Sequence, residues 1–235
     1  MTEHTTQWYA SWFDSPYYHI LYKDRDHTEA QVFMDNLTHY LDIPKGGKIL
    51  DLACGKGRHS IYLNKLGYDV TGVDLSANSI LHAKQYENSN LRFQVHDMSI
   101  PFPDQFDAVV NLFTSFGYFD KEENNLNTIK AIKSNLKSTG FGIIDFMNSN
   151  FVIHNLVSQD TKSVEGIDFI QKRRSENGYI IKDINFTIDD MEFQFQERVR
   201  AFTFSDFQRL FQEAGVTLKS VFGDYNLGPF NLQNR

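Results

Sequence analysis

Three carboxylates recur along the first half of the chain at an even interval: Asp51, Asp74 and Asp97, each 23 positions after the last. Each lies at or near the end of a short apolar run of strand-like composition, KILDLA (48–53), YDVTGVD (68–74) and LRFQVHD (91–97). After Asp51 comes a small, glycine-rich turn, Ala53-Cys54-Gly55-Lys56-Gly57, that opens into a helical pattern. Glycines let the backbone turn tightly and let an extended ligand lie directly on the main chain. Acids at the carboxyl ends of consecutive parallel strands converge on one crevice, the place where open α/β sheets bind ligands. There Asp74 can accept both hydroxyls of a ribose, Asp97 can accept from an adenine amino group, and Asp51 favours a ligand that bears an ammonium. The set suits a nucleoside that carries positive charge.

A dinucleotide is the competing occupant. Its fingerprint needs G-x-G-x-x-G with a small third position, and its pyrophosphate sits on the helix N-terminus. Here Gly55-Lys56-Gly57-Arg58-His59 is followed by Ser60, and Asp51 would repel a pyrophosphate. S-adenosylmethionine has no phosphate and lays its methionine and ribose portions over such a loop, so a nicotinamide-dependent oxidoreductase is disfavoured.

For the acids to meet, the segments between them must be crossover helices of a parallel sheet. GRHSIYLNKLG supplies one, with Ile61, Leu63 and Leu66 apolar and Gly67 as its stop. Ser76 caps another that runs to about Tyr86. FDAVVNLF (106–113) is too continuously apolar for an edge and predicts a buried central strand. Asp120 and Glu123 predict the start of a helix that places Leu126, Ile129 and Ile132 on one face and ends near Gly140, with GFGIIDFMN (140–148) as the fifth strand. From 166 to 204 the apolar residues alternate, with turn residues at Glu176-Asn177-Gly178 and Asp189-Asp190, which predicts an antiparallel meander. Ser205 and Gln208 predict a capping box, and VTLKSVFGDY (216–225) a sixth strand. A sheet of this kind usually closes with an antiparallel partner for that strand; GPFNLQNR lacks the apolar content, so the chain is expected to continue past Arg235. The expected fold is α/β, a Rossmann-like doubly wound, mostly parallel sheet. A helical lid spans 1–44, the cofactor domain 45–148 and 205–235, and an inserted antiparallel segment 149–204.

The motifs resemble those of class I methyltransferases. D-L-A-C-G-K-G is similar to their D/E-x-G-x-G-x-G motif, V-T-G-V-D-L-S to their second motif, and H-D-M and F-D-A-V-V-N-L-F to their third and fourth. The resemblance covers residues 15–148 and implies methyl transfer from S-adenosylmethionine to a small-molecule acceptor. By the same resemblance Ala53, Gly55 and Gly57, with Cys54 between them, line the methionine portion. Asp74 and Leu75 meet the ribose, Asp97 and Met98 the adenine, and Asn111, Leu112 and Phe113 form the floor near the sulfonium. Tyr18-His-Ile-Leu-Tyr22 resembles the Y-D-x-h-Y segment that closes an N-terminal helix over the cofactor, although His19 stands where the family has an acid. Ala53 replaces the first glycine.

Composition narrows the choice of acceptor and compartment. The net charge of −7 gives no long-range attraction to phosphate backbones, and the basic cluster Lys172-Arg173-Arg174 is short, so nucleic acid is not expected as substrate. The N/D-P-P-Y/F segment of base-methylating enzymes is also replaced, by Asn111-Leu112-Phe113-Thr114. No stretch approaches the roughly 20 apolar residues of a membrane span, and a single cysteine fits a cytoplasmic setting. A monomer or homodimer is expected.

Cys54 reads as a small filler rather than a nucleophile. None of the eight histidines shows metal-ligand spacing, and no catalytic metal is expected. If a general base is used, His19, Tyr18, His154 and Asp145 are placed to supply it. Arg198 and Arg200 can hold a substrate carboxylate or face solvent. The N-terminal aromatics (Trp8, Tyr9, Trp12, Phe13, Tyr17, Tyr18, Tyr22) pack a lid or form a cage for a cation. A module that binds the cofactor without turning it over is the alternative to an enzyme.

Overall fold

The computed structural model describes residues 8–23, 27–113 and 115–232. The side chain of Trp8, Thr114 and the terminal Arg235 lie outside the described residues. Five strands, β1 (Lys48–Leu52), β2 (Asp69–Asp74), β3 (Leu91–Val95), β4 (Phe106–Asn111) and β5 (Leu136–Ile144), form a wholly parallel sheet in the order β3-β2-β1-β4-β5. The central strands β1 and β4 are covered on both faces, which is why their sequences are apolar throughout, with Ile49, Leu50, Val109 and Ala108 fully buried. β3, at the edge, alternates instead: Leu91 and Phe93 are buried while Arg92 and Gln94 are exposed.

Successive residues of one strand feed opposite layers. Ile49 joins a cluster built by α3 (His27–Tyr40), α4 (Arg58–Lys65) and α5 (Ala77–Ala83), with Met34, Leu63 and Ile80. Leu50 and Leu52 face the opposite side, where Ile132 of α6 (Glu122–Asn135) and Tyr9 of α1 (Trp8–Phe13) pack. Gly57 is required where the loop meets α4. Its φ is 83°, and a Cβ there would lie 2.6 Å from the Phe93 ring and 3.3 Å from Ala83.

A second sheet holds β6 (Gln159–Val164), β7 (Ile167–Glu176), β8 (Tyr179–Ile188) and β9 (Met191–Arg200), all antiparallel and in sequence order. Its turns, Glu165-Gly166, Asn177-Gly178 and Asp189-Asp190, all carry positive φ at both positions, matching the twist of the flanking strands. The meander therefore begins a strand earlier than 166. Its inner face is covered by Trp12 and by Leu21 of α2 (Pro16–Leu21), packed on Phe169, Ile184 and Phe186.

Four local expectations are corrected. The helix α8 (Phe204–Ala214) is capped by Thr203 and Asp206, whose carboxylate takes the Thr203 N–H at 2.9 Å, not by Ser205 and Gln208. Helix α6 begins at Glu122 with Lys121 as its unassisted cap, because Asp120 is drawn away to Arg198 at 3.0 Å. It ends at Asn135 rather than near Gly140, since the Asn135 amide is taken up by the carbonyls of Phe102 (2.6 Å) and Asp104 (2.8 Å), and β5 starts at once with a bulge before Phe141. Residues 216–225 form no strand. Side chains hold the segment instead: Phe222 against Tyr40, and Tyr225 stacked on Phe33 at 4.4 Å. A short helix, α7 (Ser149–His154), follows β5. Among the described residues no helix is long and apolar enough to cross a membrane.

Gly57→Ala is expected to destabilise the protein by about 2–4 kcal/mol, combining a left-handed alanine with overpacking against Phe93. Urea denaturation measures it; a midpoint equal to that of the parent would mean the contact with Phe93 relaxes freely.

Candidate active site

β1 and β4 lie side by side, with Leu52 in register with Asn111, so the residues after each strand emerge together. Both tails bend through the left-handed region, at Ala53 (φ 57°) and Phe113 (φ 61°). That conformation is sparsely populated by side chains other than glycine, and its presence on two adjacent tails marks a locally strained edge of the sheet.

Asp51 faces the helix layer and is 1% exposed, with Ser60 of α4 donating its hydroxyl to Oδ2 at 2.6 Å. Burial pushes its carboxyl up to about 7, against the stabilising bond from Ser60, and nearby Asp74 pushes the same way. Asp74 receives the Gly55 N–H on Oδ2 and the Ser76 N–H on Oδ1, both at 2.8 Å. It thereby ties the glycine loop to the start of α5. Burial raises its pKa too, and the carboxylate of Asp14 adds to the rise. Asp14, on the turn between α1 and α2, accepts from Ser76 Oγ at 2.5 Å and from Asn78 Nδ2 at 2.6 Å. Asp97 closes a turn on itself, accepting from the N–H and hydroxyl of Ser99 at 2.8 Å. Tyr9 stands close to it: burial first, then the charges of Asp97 and Asp120, push its phenol up to about 12.

Asn111 is fully buried. Its Nδ2 donates to the Leu52 carbonyl at 3.0 Å and to Ser115 Oγ at 2.6 Å, and lies 3.7 Å from the Met98 sulfur. The carbonyl partner fixes which end of the amide is nitrogen, and Oδ1 accepts no hydrogen bond from the described residues. At Gly55, by contrast with Gly57, a Cβ would meet no atom within 4 Å, so open space lies over the loop. Acids gathered beside a glycine loop with open space above it fit the chemistry of S-adenosylmethionine.

Of the residues singled out in the sequence, Asp51, Ala53, Cys54, Gly55, Gly57, Asp74, Leu75, Met98, Asn111, Leu112 and Phe113 gather at this edge of the sheet, with Asp97 beside them. Cys54 is buried and its thiol is pushed well above its ordinary range by burial and by Asp51 and Asp74, an unreactive setting. The Phe113 ring lies under the Arg58 guanidinium at 4.2 Å and beside the His59 ring at 5.0 Å. Tyr18 and Tyr22 sit elsewhere, in the aromatic layer against the second sheet. Tyr18 packs edge-on to Trp12, and the Tyr22 hydroxyl donates to Glu197 at 2.7 Å. His19 stacks edge-on to Tyr18, and His154 is exposed at the end of α7. Arg198 and Arg200 are taken up by Asp120 (3.0 Å) and Glu122 (3.2 Å) around the Tyr179 ring. Among the described residues no group of three His, Cys, Asp or Glu could hold a metal. Sequence reasoning missed Asp14, Ser115 and Tyr225, whose partners lie on other elements. Ser60 was visible only as a departure from the dinucleotide fingerprint.

The family described as "Methyltransferase domain" matches residues 49–140, from β1 into β5. The chain is 30% identical over 205 residues to the putative methyltransferase YqeM of Bacillus subtilis (strain 168), covering 81% of this chain and 83% of that protein. It belongs to the class I S-adenosylmethionine-dependent methyltransferases. Its fold is similar to that of a S-adenosylmethionine-dependent methyltransferase from Clostridium acetobutylicum ATCC 824, with a TM-score of 0.77 at 19% identity over 92% of this chain and 91% of the other. A further relative is the dTDP-3-amino-3,4,6-trideoxy-alpha-D-glucopyranose N,N-dimethyltransferase of Streptomyces venezuelae, 22% identical over 77% of this chain and 79% of that enzyme.

Two outcomes follow. If Asp51 meets the cofactor ammonium, binding must displace its proton in acid. Affinity for S-adenosylmethionine should therefore be level above the Asp51 pKa and fall by about tenfold per pH unit well below it, a fall that Asp51→Asn abolishes. In the apo protein the sign is opposite: the raised pKa makes this group's contribution to stability largest in acid and lost as pH climbs toward 7. Calorimetric titration from pH 5 to 8 tests the first, and a flat profile in the parent contradicts it. Gly55→Ala, which meets only open space, should fold with about 1–2 kcal/mol of backbone strain while losing most cofactor affinity.

Proposed function

We propose that this chain transfers the methyl group of S-adenosylmethionine to an amine nitrogen of a small molecule. The observation that carries the acceptor is Asn111 Oδ1, a buried hydrogen-bond acceptor at the tail of β4 with no donor among the described residues. A buried carbonyl oxygen without a partner costs about 1–3 kcal/mol, which an N–H or O–H of a ligand recovers; a donor group on the acceptor is therefore favoured, and the relative's chemistry selects an amine. The relative from Streptomyces venezuelae, an N,N-dimethyltransferase acting on an amino sugar nucleotide by its name, supports the same reading.

In this reading the loop Ala53, Cys54, Gly55 and Gly57 holds the methionine portion, Asp74 and Leu75 the ribose, and Asp97 and Met98 the adenine, while Asn111, Leu112 and Phe113 floor the reaction centre. When bound, S-adenosylmethionine supplies an electrophilic methyl group on sulfur. Asn111 Oδ1 accepts an N–H of the neutral amine, so that the nitrogen lone pair is directed along the line of displacement, where orientation supplies most of the rate gain. The cationic product then loses its proton to solvent, so no strong base is needed. The N-terminal helices and the second sheet form the acceptor side and exclude water. We further infer a monomer or homodimer that works in the cytoplasm on small molecules rather than nucleic acid.

Purified protein is to be incubated with S-adenosylmethionine and a panel of amines, alcohols, phenols and thiols, with S-adenosylhomocysteine formation followed by mass spectrometry. Amines alone should turn over. Asn111→Ala should lower turnover about a hundredfold, with affinity for S-adenosylhomocysteine within about threefold of the parent. Methylation of hydroxyl or thiol acceptors in preference to amines would overturn the reading.

A further inference from the structure

Asp145 follows β5 and grips the tail of β4 in two places. Its backbone N–H donates to the carbonyl of Asn111 at 2.8 Å, and its Oδ2 accepts the N–H of Phe113 at 3.0 Å. The same oxygen accepts the hydroxyl of Tyr225, also at 3.0 Å. The residue it holds is the one that needs holding. Phe113 has φ 61°, and a bulky side chain in the left-handed region costs on the order of 1–3 kcal/mol, sustained only when surrounding contacts over-determine the turn. Glu165, Asn177, Asp189 and Asp190 share that region within hairpin turns, where the twist of the strands favours it.

The turn has a chemical consequence two residues away on either side. By bending at Phe113 the chain returns Ser115 Oγ to within 2.6 Å of Asn111 Nδ2. Together with the Leu52 carbonyl, this commits both amide donors and leaves Oδ1 as the free end. Tyr225 extends the grip to the C-terminal segment, which is itself anchored on α3 through the Phe33 stack and the bond from Asn36 Nδ2 to the Tyr225 carbonyl at 3.0 Å.

We propose that Asp145 is a positioning residue: its carboxylate, braced by Tyr225, holds Phe113 in the left-handed turn that orients Asn111 at the floor of the methyl-transfer site. This rests on the reading of Asn111 as that floor. In this role Asp145, one of the candidate bases, serves the backbone of the turn through Oδ2 and its two donors.

The test uses cofactor binding, so it does not depend on knowing the acceptor. Calorimetry of the full chain with S-adenosylmethionine and with S-adenosylhomocysteine gives an affinity ratio that reports how the site receives the methyl group and its sulfonium charge. Asp145→Ala should weaken S-adenosylmethionine by about tenfold while leaving S-adenosylhomocysteine within about threefold. Tyr225→Phe should shift the ratio in the same direction by a smaller factor. Asp145→Asn, which keeps an oxygen for the Phe113 N–H, should recover most of the loss. Amide hydrogen exchange across 111–119 should rise in the alanine variant and return toward the parent in the asparagine variant. Equal weakening of both cofactor forms would show a merely structural role and overturn the proposal. So would an asparagine variant as impaired as alanine, the pattern of a group that needs its charge. Failure of amines to turn over defeats the acceptor assignment alone and leaves this ratio to decide the proposal.

Discussion

The hydrogen bond from Asn111 Nδ2 to the Leu52 carbonyl, 3.0 Å long and fully buried, joins the tails of the two central strands at the point where their ladder stops. Parallel strands run out of partners at their carboxyl ends, and the backbone groups left there must be met by side chains or by a ligand. In this chain the meeting is done by side chains borrowed from neighbouring tails. Asn111 serves β1, Asp74 serves the glycine loop after β1, and Asp145 serves the tail of β4. These bonds tie the edge together, while Asn111 Oδ1 is buried without a donor among the described residues and the space above Gly55 is open.

Electrostatics give that edge its preference. Asp51, Asp74 and Asp14 lie close enough for their charges to oppose one another, and burial raises the first two further. Crowded carboxylates of this kind are costly in an empty protein, and a cation entering among them recovers part of the cost. A sulfonium nucleoside with an ammonium is such a cation; a pyrophosphate is the reverse. The same reasoning explains the inert thiol of Cys54, whose ionisation would add another negative charge to the cluster.

Around this centre the N-terminal helices bridge two layers. Trp12 and Tyr22 both donate to Glu197 of β9, at 2.8 and 2.7 Å, while Asp14 between α1 and α2 reaches the cap of α5. One turn of chain thus joins the second sheet to the Asp74 side of the crevice. Arg198, Arg200 and Arg209 pair with Asp120 and Glu122 at the seam where β9 and α8 meet the start of α6.

Features set by local geometry could be read from the chain alone. The even recurrence of acids after apolar runs, the glycine loop, the Ser76 cap and the Asn-Gly turn each follow from short-range rules of backbone conformation and hydrophobic period, and all appear where the residues put them. Tertiary structure decided whatever depended on competition between distant partners. Asp120 left its helix for Arg198, and Thr203 capped α8 in place of Ser205. Residues 216–225 stayed irregular because α3 offered aromatic side chains rather than a strand edge. Asp145 shows the limit most clearly: as a sequence position it was one acid among several possible bases, and only the approach of Phe113 and Tyr225, from 32 and 80 positions away, gave it a different task. Period and turn chemistry act over a few residues, whereas the partner of a buried carboxylate is chosen by which segments the closed sheet brings within hydrogen-bonding reach.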